Sequence, residues 1–492
     1  VFVVTALVLI IPLAAALAAL VLPPRAAQAV TAAAGIASFG LVVTLVPAAS
    51  RRDLGFATFI RIDALSVVFL LATGFLYAAV AVYCIGYLGG GDAERDSASF
   101  QRYTRRFCLG LNLFAWSMLV APMMSNLALL WVAVEVTTVI SALLVAFEGT
   151  PGAAEAAWKY ILIASAGLSI ALLGTIFIYY AGAQVLGQHY NLAFAALLTA
   201  APRLPHTAVQ LAFVLAIVGF GTKVGLFPVH TWLPDAHSEA PTPVSALLSG
   251  SLLAVSFYAI LRYYQVAVGA LGPRFPRDVL LVFGVATLLL AALYLLDQRD
   301  YKRLLAYSSV EHMGILAIGV SFGAPVALAG VLLHVLAHAA AKGNAFMGAG
   351  VLVRKFGSKQ ICAVSGGLDL LPWSGPLLLG AMLALSAMPP FGIFRSEFEI
   401  VTGGLAASRN VAAAILVVAV TVAFFGLSVA ANRMLLAPRA PAATAAVRGE
   451  PSAWMVVPVA VGLMALLMLG VHPPGELTGL MARAVTQLQG PA

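Results

Sequence analysis

The sequence predicts an all-α polytopic membrane protein of about fourteen transmembrane helices. Of its 492 residues, 62% are hydrophobic and only 9% charged, and mean hydropathy is +1.01. Apolar runs of spanning length follow one another with short connections. A soluble chain of this length needs a far larger charged surface, so the bilayer is its main solvent. A bilayer core takes about 20 apolar residues per helix. On that ruler the spans fall near 1–22, 27–48, 63–88, 106–122, 125–147, 157–181, 207–228, 241–267, 278–297, 303–321, 325–350, 374–394, 407–436 and 453–471. The run Val1 to Leu22 lacks a basic leader region and reads as the first span, not a cleaved signal. The longer connections are 89–106, 182–206 and 438–451. About twenty residues follow the last span, too few for a long lateral helix.

Net charge is +8, but the cations sit in short loops with no basic arm, so nucleic acid is not an expected partner. Loops on one side carry fifteen Lys and Arg, among them Arg102, Arg105, Arg106, Lys302, Arg303, Arg354 and Lys355; the other side carries nine. The richer side is expected to be cytoplasmic, with both termini extracytoplasmic, in the cell (inner or plasma) membrane. Cys84, Cys108 and Cys362 stand too far apart for an iron–sulfur, zinc or dithiol motif, so neither a redox cofactor nor a metal is expected.

The informative residues are ionisable groups at membrane depth, each costing about 2.5–3.5 kcal/mol on insertion scales and pointing to function by default. Glu135 sits mid-span in LALLWVAVEVTTVISALL. Lys223 lies in TKVGLFPVHTWLPDAHSE, where Pro228 cannot donate to the preceding turn and breaks the helix. Backbone carbonyls freed at that depth need protein or water. With His230, Thr231, Asp235, His237, Ser238 and Glu239 following, the segment reads as a wet channel. His334, His338 and Lys342 recur every four residues and so share one helix face over about 12 Å. An imidazole accepts at one nitrogen while donating at the other, which suits a proton path. Metal binding by the two histidines is the weaker reading, because no carboxylate or thiol joins them locally. In MPPFGIFRSEFE, Pro389 and Pro390 break a second span just before Glu397, which Arg395 could pair with at the surface.

The two broken spans, the seventh and the twelfth, lie five apart, an odd offset that turns successive copies of a repeat upside down. The expected organisation is an N-terminal three-helix segment 1–105, inverted five-helix units 106–267 and 278–436, and a C-terminal helix and tail 437–492.

Three segments carry a resemblance: KVGLFPVHTWLPDAHSEAPTPVSALLSG, DYKRLLAYSSVEHMG and MPPFGIFRSEF. They resemble the antiporter-like membrane subunits of respiratory complex I, Mrp-type antiporters and membrane-bound nickel–iron hydrogenases, over about residues 60–435. Within that superfamily the pairing SSVEHMG with PPFGIFRSEF is most similar to hydrogenase-4 component F. The resemblance implies fourteen helices, two inverted repeats and a hydrophilic axis. By motif position Glu135 matches the span-five glutamate, Lys223 the span-seven lysine, His334, His338 and Lys342 the span-eleven relay, and Glu397 the charged residue of span twelve. One departure matters. Many relatives carry a lysine in span eight where this chain has Ala254, with Arg262 two turns onward; a wire between the halves then runs through water or His312, or is interrupted.

The reading that follows is a proton-translocating subunit of a redox-driven complex, hydrogenase-4-like or complex I-like. The implied partners are other membrane subunits of the superfamily, hydrophilic redox subunits carrying iron–sulfur (in a hydrogenase also nickel–iron) centres, and the lipid bilayer. The expected proton-transfer residues are Glu135, Lys223, His230, His312, His334, His338, Lys342 and Glu397. Alternatives are a sodium/proton antiporter module, with Asp235, Thr242 and Ser245 as weak oxygen ligands, and a non-conducting scaffold. No nucleophile–base pair or phosphate loop suggests a catalytic centre of the chain's own.

Overall fold

The computed structural model describes residues 2–57, 59–89, 97–439 and 447–490. Val1, Thr58, 491–492 and parts of two long connections, 90–96 and 440–446, lie outside the described residues. The main elements are α1 Phe2–Val21, α2 Pro24–Ala49, a hairpin of β1 Leu54–Ala57 and β2 Ile60–Ile62, α3 Ala64–Tyr87, α4 Ala98–Val120, α5 Leu127–Val145 and α6 Pro151–Leu186. There follow α7 His206–Val224, α8 Leu233–Glu239, α9 Thr242–Leu271, α10 Arg274–Leu295, α11 Tyr301–Phe322 and α12 Pro325–Phe356. The chain continues with α13 Ser374–Leu385, α14 Gly392–Ala406, α15 Asn410–Leu436, α16 Ala453–Val471 and α17 Gly475–Gln489.

Thirteen helices among the described residues are long and apolar enough to cross a membrane. The expected twelfth span is instead two shorter pieces, α13 and α14, separated by the segment holding Pro389 and Pro390. The seventh ends four residues earlier than the apolar run suggested. Gly225 takes a left-handed φ of +90° and closes α7 at Val224, so the proline merely prevents the helix from resuming before Leu233.

Side-chain polarity sorts the helices. The apolar windows of α9 and α11 are 100% buried and that of α12 is 89% buried, against 33% for α1 and α16. Leu, Val and Phe on the outer helices face the bilayer, while the Ser, His, Lys and Glu of α9, α11 and α12 are enclosed by protein, where such groups belong. Inside α9 one turn, Leu248–Leu252, widens to π geometry. There a Cβ on Gly250 would stand 2.6 Å from Leu76 Cδ2 of α3 and 3.1 Å from the Ala339 carbonyl of α12, so glycine lets α9 pack closely against both helices.

The β-hairpin marks one face of the bundle. Ile60 bridges Met124, and the Ser125 amide donates to the Phe59 carbonyl (3.0 Å), which ties the α4–α5 connection to it. Helix α17 lies on the same face, burying Leu480, Met481, Ala484, Val485 and Leu488. Helix α8 and the α9, α11 and α12 ends nearest Asp300 and Lys359 form the opposite face.

Candidate functional site

On α5, Glu135 is half-buried; its Oε1 accepts from Ser165 of α6 (2.9 Å) and its buried Oε2 has no protein partner. Lys223, fully buried on α7, donates to the Val134 carbonyl (2.8 Å), to Thr137 Oγ1 (2.6 Å) and to Thr138 Oγ1. Lys223 does not pair directly with Glu135: the ammonium is held by the Val134 carbonyl and by the hydroxyls of Thr137 and Thr138 on α5. Thr137 and Thr138 lie two and three positions beyond the glutamate, and that face of α5 points at α7. Farther along the same face, Ser141 shares a hydrogen bond with Tyr160 (2.7 Å), whose ring stacks on Trp232 at 4.3 Å.

His230 lies in the break after α7, 6% exposed, with Nδ1 unpartnered. His237 of α8 is fully buried; its Nδ1 meets the Leu233 carbonyl (2.8 Å) and its Nε2 has no partner. Its ring lies 6.1 Å from Trp232 and 5.9 Å from Phe346, one turn beyond Lys342 on α12. His237 thus stands between the two lysine regions. Beside it, on the face opposite the hairpin, a cavity of about 340 Å³ is lined by Asp235, Glu239, Asp300 and Arg303.

The second region gathers three helices. His312 Nδ1 of α11 is 3.1 Å from His334 Nε2 of α12 and 3.9 Å from Glu397 Oε1 of α14. His334 Nδ1 meets Ser396 Oγ (2.9 Å). The His338 ring lies 5.2 Å from that of His312, and neither of its nitrogens has a partner. All three histidines are fully buried and Glu397 is 6% exposed. Arg395, the surface partner considered for Glu397, pairs with Glu399 instead (3.0 Å). Lys342 donates to the Leu305 carbonyl (3.0 Å) and to Ser308 Oγ of α11. Each lysine is thus solvated by the hydroxyls and a carbonyl of the neighbouring helix.

Sequence reading missed Glu311, buried on α11 with an unpartnered Oε2. The rule that selected Glu135, a carboxylate inside an apolar span, applies to it equally. Also missed was Asp63, which caps α3 by accepting from the Ser66 amide (2.9 Å) and pairs with Arg262 of α9 at 2.7 Å, both enclosed. Burial alone would push the Asp63 carboxyl up; the Arg262 guanidinium, with Arg61 and the Ser66 amide, outweighs it and holds the group at about 2. Ala254 is buried, and no Lys, Arg, His, Asp or Glu replaces the span-eight lysine between Thr242 and Leu261. At the π turn the polar contacts are hydroxyls: Ser249 with Ser309 (2.7 Å) and Ser251 with Thr73 (2.8 Å).

Residues 124–423 match the family described as NADH:quinone oxidoreductase/Mrp antiporter, transmembrane. The hydrogenase-4 component F homolog of Methylacidiphilum infernorum is 35% identical over 370 residues, 74% of this chain and 76% of that one. NADH-quinone oxidoreductase subunit N of Desulforudis audaxviator is 32% identical over 422 residues, 83% of this chain and 81% of that one. In fold, the chain is similar to one in the Mrp complex from Dietzia sp. DQ12-45-1b, with TM-score 0.86, 21% identity and full coverage of both chains. It is similar also to one in respiratory complex I from Thermus thermophilus, with TM-score 0.83, 23% identity and coverage of 99% and 100%. With buried lysines, broken helices and this extent of match together, the chain belongs to the NADH:quinone oxidoreductase/Mrp antiporter membrane family, as an antiporter-like subunit of the hydrogenase-4 and complex I type.

Proposed function

We propose that the chain moves protons across the cell membrane for a redox-driven complex whose iron–sulfur and, in a hydrogenase, nickel–iron centres reside in partner subunits. The observation that carries this reading is the pair of fully buried lysines, Lys223 and Lys342, each held by hydroxyl and carbonyl oxygens of a neighbouring helix, together with a buried cluster of His312, His334 and His338 against Glu397. Groups that cost several kcal/mol to bury and that exchange protons readily fit transfer better than packing. The unpartnered atoms of Glu135, Glu311, His237, His312 and His338 are the places where water or a moving proton would bind. Moving one charge against roughly 150–200 mV costs about 3.5–4.6 kcal/mol. Shifting a lysine between a hydroxyl-solvated and a dry setting is a perturbation of that size.

In this reading 106–267 and 278–436 are inverted units, each with a broken helix. The face carrying α8 is cytoplasmic, and the hairpin face lies outside. Protons enter by the cavity at Asp235 and Glu239 and pass His230 and His237 to the axis. The test is proton pumping by the purified complex in proteoliposomes. Lys223→Ala should abolish proton uptake while substrate oxidation by the partner subunits continues, and undiminished pumping would refute the reading.

A sodium/proton antiporter module is the second reading, favoured by the fold match to the Mrp complex. Its oxygen ligands do not converge: Asp235 is taken up by Lys159 and Arg303, and Ser245 donates to the His237 carbonyl. Sodium-dependent transport would revive it.

A further inference from the structure

A second cavity, about 550 Å³, opens on the hairpin face, lined by the polar side chains of Asp53, Arg61, Gln265, Arg483 and Gln487 and by Phe194 and Leu198, with Asp63 at its floor. Helix α17 forms one wall. Gln487 Oε1 accepts from the Leu65 amide (3.2 Å), its amide donates to Asp53 (3.1 Å), and its carbonyl accepts from Gln265 (2.7 Å). Behind the floor lies Arg262, 4% exposed. Its Nη2 donates to Asp63 (2.7 Å), Tyr258 Oη (2.7 Å) and Ser66 Oγ (3.1 Å), its Nη1 to Gln265 (3.0 Å), and the guanidinium lies over the Phe194 and Tyr258 rings at 4.7 Å each.

This arginine stands eight residues, about 12 Å, along α9 from Ala254. Between them and beyond, α9 carries hydroxyls toward the centre: Ser256, then Ser251 on Thr73, then Ser249 on Ser309. Ser309 and Lys342 both donate to the Leu305 carbonyl (each 3.0 Å). Buried hydroxyls therefore recur along α9 and its neighbours between the cavity floor and the second buried lysine, with Ser256 itself donating to the Leu252 carbonyl (3.0 Å).

We propose that this cavity is the proton portal of the hairpin face and that the Asp63–Arg262 pair is its electrostatic gate. A guanidinium cannot release its proton at any ordinary pH, so Arg262 is not a relay. A fixed positive charge in a narrow polar passage repels cations, protons among them. Asp63 cancels that charge, and the neutral pair lets a proton pass while blocking free leakage. The inference rests on the proton-conducting reading above, and it predicts effects of opposite sign from the two partners. Asp63→Asn leaves Arg262 uncompensated and closes the portal. Arg262→Gln leaves a carboxylate that can bind protons and opens it.

The experiment uses the purified complex in proteoliposomes with two readouts, pumping during turnover and passive proton leak under a potassium diffusion potential. Asp63→Asn should cut pumping at least about tenfold with no rise in leak, whereas Arg262→Gln should raise leak several-fold. Equal effects on both readouts, or none, overturn the gate. Breaking a buried pair can cost about 3–5 kcal/mol, so a third arm avoids the pair. Exposed Thr199 on the cavity rim is changed to Cys in a Cys362→Ser background and labelled with a cationic thiosulfonate before reconstitution. Labelling should stop pumping relative to the same protein unlabelled, with the Thr199-bearing complex treated in parallel. Full pumping after complete labelling overturns the portal. If the unmodified complex itself does not pump, it is the proposed function that fails.

Discussion

The Glu397 carboxylate stands 3.9 Å from the His312 imidazole, while Arg395, its near neighbour in sequence, turns away to Glu399. The break before α14 makes this possible. With the helix restarting at Gly392, Ile393, Ser396, Glu397 and Ile400 share its buried face and Arg395 points outward. A carboxylate among three buried imidazoles is placed to take or release a proton that they pass on.

Glu397→Gln should therefore abolish turnover-linked pumping, and Arg395→Gln should leave it within about twofold, since a half-exposed pair four residues apart on one helix contributes at most about 1 kcal/mol. Proton uptake by reconstituted complex measures both. Equal loss in the two variants would place the functional charge at the surface.

The hold on Lys223 gives a second expectation. Because Thr137 and Thr138, not Glu135, contact the ammonium, Lys223→Ala should couple more strongly in double-mutant cycles with Thr138→Val than with Glu135→Gln. Unfolding of the detergent-solubilised complex is the readout. Stronger coupling to Glu135→Gln would mean that the pair closes directly in the working protein.

These two cases show what the sequence made legible. A charge inside an apolar run is conspicuous, so Glu135, Lys223, His334, His338, Lys342 and Glu397 could be read from cost alone, and the structure encloses all of them fully or in part. Which group each one meets depends on helix rotation. A shift from position 135 to 137 or 138 replaces a carboxylate with hydroxyls, and nothing in hydropathy records it. Asp63 escaped for a different reason. It reads as a polar residue opening a span, and its burial is created by Arg262, 199 positions away. Glu311 was legible and was passed over beside His312. The helix breaks were also legible, because proline acts locally, although glycine set the end of α7.

Asp63 gives a pH expectation. Its carboxyl is held at about 2 against an ordinary 3.8. A depressed folded-state value stabilises the protein at pH above the ordinary value, and that stabilisation is lost as pH falls from about 4 through 2. The difference amounts to about 2 kcal/mol at most. Thermal unfolding in detergent between pH 6 and 2.5 should show this loss, and Asp63→Asn should remove that component. An unaltered pH profile in the variant would mean that Asp63 is not the group responsible.

His338 separates transport from packing most cleanly. Both of its ring nitrogens are buried without a protein partner, so in the resting fold it contributes nothing by hydrogen bonding and its polarity is a cost. His338→Leu replaces that ring with an apolar side chain of comparable size and removes the unsatisfied atoms. The melting temperature should hold or rise. Pumping should nevertheless fall at least about tenfold, because a proton moving between His312, His334 and Lys342 loses its intermediate acceptor, and proton-transfer groups of this kind contribute about 10²–10⁴-fold. A structural histidine gives the reverse pattern, lower stability with pumping retained. Measuring both quantities on one preparation decides whether the histidine run is a path or a packing motif.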